Sequence, residues 1–157
     1  MKYISFFLFG CALISCDSSQ QHDNQLDKDQ IANEVKEMLH LYHEDMNNEG
    51  LLSEFKHLDN SDEFFWVPPG YLSSIDYDSV KTVIEGAAPG LSSVNYSWSS
   101  LKIFPLHQDI ASFTGIVSGM IIDTSGTQTD VTLIESGTVI RRDDGWKLLN
   151  GQSRFLQ

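Results

Sequence analysis

Glu135 is a carboxylate in the middle of a predicted β-strand rather than at a turn. It alternates in phase with Val131, Leu133 and Val139, so it shares one face of the strand with apolar side chains. If that face is buried, the loss of water would raise the pKa of its carboxyl group and make it a candidate general base. The alternatives are a solvent-facing position or an ion pair across the sheet with Arg154.

Two amide side chains, Asn150 and Gln152, share the phase of Trp146 and Leu148 in the last predicted strand. An amide can orient a ligand carbonyl or stabilise an oxyanion, but it does not shuttle protons. A binding pocket usually contains a few converging polar groups, so both amides are candidate ligand contacts beside Glu135. The alternative for both is a polar surface position.

Aromatic side chains are frequent enough to form the apolar floor of a pocket, although their usual place is the core. The candidates for such a floor are Tyr42, Trp66, Tyr71, Tyr96, Trp98 and Phe113.

Other kinds of chemistry have little support. His40 and His43 are three residues apart on a predicted helix, but the order is not that of a zinc protease and no second ligand cluster is visible. We therefore expect no metal site. The sequence has no Gly-x-Ser-x-Gly elbow and no glycine-rich phosphate loop, so we also expect no cofactor.

The net charge and the positions of the cysteines exclude further kinds of partner and of chemistry. The 157 residues contain 22 acidic and 10 basic side chains, a net charge of -12, which argues against nucleic acid and anionic membrane surfaces as partners. The only cysteines are Cys11 and Cys16, so residues 17–157 contain no disulfide, thiol nucleophile or thiolate ligand.

The N-terminal residues predict an export signal. Lys2 precedes a nearly uncharged run, residues 3–15, that is too short to cross a bilayer as a helix of about 20 residues. The run ends in Leu13-Ile-Ser-Cys16, which resembles the lipobox of bacterial lipoproteins. The resemblance implies that residues 1–15 are removed and that Cys16 is lipidated. It places the protein in the bacterial cell envelope, on the periplasmic or cell-surface side. The alternative is an ordinary secretory signal.

The rest of the chain divides into a polar tether, residues 16–26, and one domain, residues 27–157. Asp27 is a predicted N-cap, and apolar residues then recur at helical spacing until Gly50. Three further elements are predicted before residue 90: a short helix over 51–58, a strand over 64–67 that ends at Pro68-Pro69-Gly70, and a helix over 76–88.

From residue 93 the hydrophobic period changes to two, which predicts three or four antiparallel strands in long hairpins. Turns are predicted at 123–126 and 143–145. Gly115, Gly119 and Gly137 lie inside strands, where glycine often marks a bulge or bend. Helices followed by a run of strands predict an α+β domain with a curved antiparallel sheet.

Two stretches, residues 44–55 and residues 139–150, resemble the nuclear transport factor 2-like superfamily, the second of them its SnoaL-like branch. The resemblance implies a cone in which a curved antiparallel sheet wraps about three N-terminal helices around a pocket. The superfamily includes isomerases, cyclases, dehydratases, hydrolases and proteins that only bind ligands or subunits. Asn150 and Gln152 stand where SnoaL-like sequences often carry histidine, and this departure argues against catalysis.

Three functions follow as hypotheses. The first is a lipoprotein, anchored in the membrane through Cys16, whose pocket binds a small apolar molecule or a partner without catalysis. Its ligand contacts would be Tyr42, Trp66, Tyr96, Trp98, Glu135, Asn150 and Gln152. The second is a SnoaL-like or ketosteroid-isomerase-like enzyme with Glu135 as general base. The third is a structural module that forms a homodimer through the sheet face.

Overall fold

The computed structural model describes residues 27–156. The predicted leader, Cys16 and tether lie outside the described residues. The elements in chain order are α1 (Lys28–Glu49), a first 3-10 helix (Leu51–Lys56), β1 (Phe65–Val67), α2 (Tyr77–Ala87), a second 3-10 helix (Ala88–Gly90), β2 (Leu91–His107), β3 (Ile110–Asp123), β4 (Gln128–Arg142) and β5 (Gly145–Phe155). Within residues 27–156, no helix combines the length and the apolar character needed to cross a membrane.

Helix α1 begins and ends where the sequence predicts. The Asp27 side chain accepts a hydrogen bond from the Gln30 N–H at 2.9 Å, which satisfies one of the free donors of the first turn. Gly50 follows the helix with a φ of 91°, a conformation that favours glycine. The side chains that α1 buries form one stripe: Ile31, Val35, Leu39, Tyr42, His43 and Met46.

The sheet contains five strands in the order β1-β5-β4-β3-β2. Strands β2 to β5 are paired antiparallel as consecutive hairpins, which confirms the predicted α+β domain with a long antiparallel meander. The short strand β1 adds a parallel edge beside β5, with Phe65 opposite Asn150. The sequence predicts β1 but not this pairing, because a three-residue strand carries no signal for its partner.

Two glycines allow aromatic rings to lie against the backbone of the inner sheet face. A Cβ atom at Gly115 would lie 2.6 Å from the Trp98 ring, and one at Gly151 would lie 2.6 Å from the Trp66 ring. The β2–β3 register shifts between Trp98 and Ser100, so this bulge lies in β2 and not at the strand glycines for which a bulge or bend was predicted. Gly115 and Gly151 leave the space in which the Trp98 and Trp66 rings lie.

A partly buried ion pair fixes the segment that follows the first 3-10 helix. Arg142 Nε and Nη2 donate to the two carboxylate oxygens of Asp59 at 2.8 and 2.7 Å. The Asp59 N–H donates to the Leu148 carbonyl at 2.8 Å, and the Leu148 N–H donates to the His57 carbonyl at 2.7 Å. These bonds attach the segment to β5 and so hold the first 3-10 helix near the inner face of the sheet.

Candidate ligand-binding site

A cavity of about 200 Å³ lies between α1, the first 3-10 helix, α2 and the inner face of the sheet. Helix α2 closes one side. Its N-cap Asp76 accepts from the Ser79 N–H at 2.9 Å, and its apolar stripe faces the cavity. Most of the wall is aliphatic, including Met46, Leu51, Val80, Ile84, Val117 and Leu133. Such a wall is typical of a small-molecule site that has a few polar groups.

Glu135 reaches this cavity from the middle of β4 and is only 7% exposed. The Ser153 hydroxyl donates to Glu135 Oε1 at 3.1 Å, and the Trp66 indole N–H donates to Ser153 Oγ at 3.1 Å. Glu135 faces Ser153 across the β4–β5 pair, whereas Arg154 is opposite Ile134. Arg154 is therefore on the other face of the sheet and is no ion-pair partner of Glu135.

A second carboxylate, Glu54, enters the cavity from the first 3-10 helix. The Tyr42 hydroxyl donates to Glu54 Oε1 at 2.9 Å. The sequence gives no signal for this role, because a glutamate in a short helix is usually exposed. Its inward position is a tertiary effect of the following segment, which Asp59 attaches to Arg142 of β4 and to Leu148 of β5.

Burial changes the protonation of both acids. Loss of water raises the pKa of Glu135 to about 7, and the like charge of Glu54 adds to the rise. Loss of water also raises the pKa of Glu54 to about 7, against the lowering effect of the Tyr42 hydrogen bond. The two acids therefore share protons near neutral pH instead of both being ionised.

Two phenols face the acids and stay protonated. Burial raises the pKa of Tyr42 well above its ordinary value and that of Tyr96 to about 12, and nearby negative charge adds to both. The backbone of Tyr96 is fixed to α1, because its N–H donates to Asn47 Oδ1 at 2.7 Å and its carbonyl accepts from Asn47 Nδ2 at 2.9 Å. Tyr42 thus remains a hydrogen-bond donor to Glu54 over the working pH range.

His43 is a buried, neutral member of the cavity wall. It is 4% exposed, and burial lowers its pKa to about 4. Its ring stacks on Trp98 with 4.7 Å between centroids, and the Trp98 indole N–H donates to the Leu39 carbonyl at 2.9 Å. Its Nδ1 atom is buried without a hydrogen-bond partner among residues 27–156. The sequence suggested His43 only as a possible metal ligand beside His40 and gave no signal for this role.

Asn150 and Gln152 do not line the cavity, contrary to the expectation from strand alternation. Val139 pairs with Leu148 but Thr138 pairs with Asn150, so Leu149 is an extra residue in β5. This β-bulge inverts the alternation of the strand beyond it. Ser153 therefore points inward, and the two amides lie at a shallow depression on the outer face. The homodimer expected through this face stays a prediction.

The structure brings together four of the seven predicted ligand contacts: Tyr42, Trp66, Tyr96 and Glu135. Trp98 lies behind His43 instead of at the cavity surface, and the two amides are on the other face. Within the described part of the chain, no group of three or more His, Cys, Asp or Glu side chains is arranged to hold a metal ion.

Solved structures share this fold at low sequence identity. A nuclear transport factor 2-like superfamily protein from Salmonella enterica matches with a TM-score of 0.69 and 11% identity, over 82% of this chain and 93% of that one. A candidate dehydratase of the same family from Streptomyces avermitilis matches with a TM-score of 0.67 and 14% identity, over 82% and 98%. A type 3 hexachlorocyclohexane dehydrochlorinase from Novosphingobium barchaimii matches with a TM-score of 0.62 and 10% identity, over 80% and 86%.

These matches define the class: residues 27–156 have the nuclear transport factor 2-like fold, the cone that the sequence resemblance implied. No family model and no curated protein matches the sequence. The neighbours include enzymes of different chemistry, and a shared fold does not transfer an activity. Function therefore has to be argued from the cavity itself.

Proposed function

We propose that this domain binds a small, mostly apolar molecule in the cavity and holds its polar group with Glu135 and Glu54. The observation that carries the proposal is the position of two carboxyl groups, a buried Glu135 and a half-buried Glu54, in a largely aliphatic wall. A cavity that only completed the core would be more stable with apolar side chains at both positions.

The two carboxyl groups have hydrogen-bond acceptor sites that no described residue uses. Among the described residues, one hydroxyl donates to each of them: Ser153 to Glu135 and Tyr42 to Glu54. An ionised carboxylate offers about four acceptor sites. A ligand that donates hydrogen bonds would use this free capacity, which supports binding over a purely structural role.

Filling the cavity should abolish ligand binding. Val83 is partly buried in the wall on α2, whereas its neighbour Thr82 is exposed. We expect Val83→Phe to remove binding of 2-phenylethanol, a single ring with a short polar arm, and Thr82→Phe to retain it. The measurement is an NMR titration of the indole N–H signals of the purified protein.

The tryptophans give this titration an internal control. Trp66 lines the cavity, whereas the Trp146 indole N–H donates to Glu34 Oε2 at 3.2 Å away from it. The proposal requires the Trp66 signal to move with ligand and the Trp146 signal to stay. A Val83→Phe variant that binds as well as the wild type would contradict it.

A second candidate function is acid–base catalysis, because a general base works best with a pKa near the working pH. The pKa of about 7 gives Glu135 that property, and Tyr42 with protonated Glu54 could stabilise a developing oxyanion. Glu135 would remove a proton from the carbon beside a carbonyl group and return it to the same or a neighbouring carbon.

This candidate predicts hydrogen exchange in a small ring ketone. With cyclohexanone in D₂O, the protein should speed exchange of the hydrogens beside the carbonyl, as measured by mass spectrometry. Glu135→Gln should slow the catalysed exchange by a factor of about 100 or more. Exchange no faster than in buffer would leave ligand binding without catalysis as the function.

We also propose that the domain is held at a bacterial membrane through a lipid on Cys16. The support is the sequence of the leader: Lys2, the apolar run over 3–15 and the small Ser15 before the cysteine. Two or more acyl chains anchor a protein firmly, whereas a single chain binds only marginally. The cavity would then sample small molecules in the cell envelope.

A further inference from the structure

We propose that the ligand of this cavity is an organic amine, whose ammonium group binds between Glu54 and Glu135 while a single ring or similar apolar body fills the rest. The inference rests on the proposed binding function and names its ligand class. It starts from the charges of the wall. Two carboxyl groups line the cavity, and no Lys or Arg is among its described lining residues.

The charges of the lining residues indicate the sign of the charge that the ligand carries. A carboxylate or phosphate ligand would be repelled by the acids and would find no basic partner. A neutral ligand would leave any ionised glutamate without a counter-charge in a low-dielectric site, where such a charge is costly. An ammonium group supplies the missing charge and donates three hydrogen bonds.

The aromatic walls and the volume also fit such a ligand. Tyr42, Trp66 and Tyr96 border the cavity together with the acids, and aromatic faces attract organic cations, most strongly where water is excluded. An apolar cavity of about 150 Å³ holds a benzene molecule. The volume of about 200 Å³ therefore has room for one ring and a short aminoalkyl arm.

His43 does not offset the negative charge of the wall. Its side chain lines the same cavity and is 4% exposed. Burial lowers its pKa to about 4, so the ring is neutral at pH 7. The ammonium group of a ligand would therefore meet no cation among the described lining residues.

Proton exchange accompanies binding. The titratable groups that line the cavity are Tyr42 and His43 from α1, Glu54 from the first 3-10 helix, Tyr96 from β2 and Glu135 from β4, whereas α2, β1 and β3 contribute no titratable side chain. At pH 7 the two acids hold about one proton between them, since each has a pKa of about 7. An ammonium ion lowers the pKa of both carboxyl groups, so binding releases protons to the buffer.

The test compares 2-phenylethylamine with 2-phenylethanol, which has the same shape without the charge. Calorimetry at pH 7 in phosphate and in Tris reports affinity and proton release, and the Trp66 indole signal reports the place of binding. We expect the amine to bind at least tenfold more tightly than the alcohol and to release protons on binding. We expect Glu135→Gln and Glu54→Gln each to weaken amine binding at least tenfold and to weaken alcohol binding much less, because a glutamine still accepts a hydrogen bond from the hydroxyl group but supplies no charge.

The matched control is Glu85→Gln, which removes the same charge from an exposed position on α2. It should bind the amine like the wild type, which separates a local effect from the overall negative charge of the chain. Equal affinity for amine and alcohol at Trp66 would overturn the ligand class and leave the binding function intact. Failure of both compounds to move the Trp66 signal would overturn the binding function as well.

Discussion

Glu135→Gln should stabilise the protein more at pH 8 than at pH 5, by about 2 kcal/mol. In the folded protein the pKa of Glu135 is raised to about 7 from an ordinary 4.5. As pH rises from 4.5 towards 7, the unfolded chain loses this proton first, so the folded state loses stability. Above pH 7 the folded state carries the full free-energy cost of an ionised Glu135 in a buried position. Glutamine occupies the same space, accepts from Ser153 and does not titrate.

The variant has to be compared with the wild type at each pH, because other titratable groups change the stability of the fold with pH in the opposite direction. Burial lowers the pKa of His43 to about 4, so its contribution to stability is lost as pH falls from about 6.5 to 4. Urea unfolding from pH 5 to pH 8 measures both proteins. Glu54→Gln should behave like Glu135→Gln, since burial raises its pKa as well. If the difference in stability between each variant and the wild type does not change with pH, the raised pKa values of Glu135 and Glu54 are refuted.

Cys16→Ala should move the protein from the membrane pellet to the soluble fraction of a bacterial cell. The lipid is attached through the thiol, and alanine has none. Cys11→Ala is the matched control, because that cysteine lies in the predicted leader and should leave the protein in the membrane fraction. Ultracentrifugation of lysed cells with immunodetection measures both. A Cys16→Ala protein that stays with the membrane would refute the anchor.

The local elements could be predicted from the sequence because their signals are local. The Asp27 cap, the apolar stripe of α1 and Gly50 define a helix without knowledge of its neighbours. The alternation around Glu135 groups it correctly with Val131 and Leu133 on one face of β4, since no bulge interrupts the strand between them, but it left open which face is buried. These features depend on residues within one or two turns or on one strand.

The incorrect predictions at the site concern side chains whose positions depend on contacts between two elements. The extra Leu149 is visible only in the pairing of β5 with β4, and it exchanges the inward positions of the last strand between Gln152 and Ser153. The inward position of Glu54 depends on bonds made by residues that follow it, and Trp98 is displaced from the cavity surface by its stacking on His43. Alternation and composition carry no information on such contacts.

The cavity, rather than the fold, carries the functional argument. Neighbours with this cone include a dehydrochlorinase and a candidate dehydratase, so the cone is compatible with several chemistries. In this chain Glu54, Glu135 and a neutral His43 lie in one largely apolar wall. Binding, catalysis and the amine hypothesis all depend on the two acids having raised pKa values and being free to exchange protons.

The most direct test of the account is an NMR titration of the side-chain carboxyl carbons of Glu135 and Glu54. We predict that both titrate near pH 7 in the free protein and that a saturating amount of 2-phenylethylamine moves both midpoints downward. Midpoints at the ordinary value of 4.5, unchanged by the amine, would contradict the claim that this cavity is a small-molecule site built on two acids with raised pKa values.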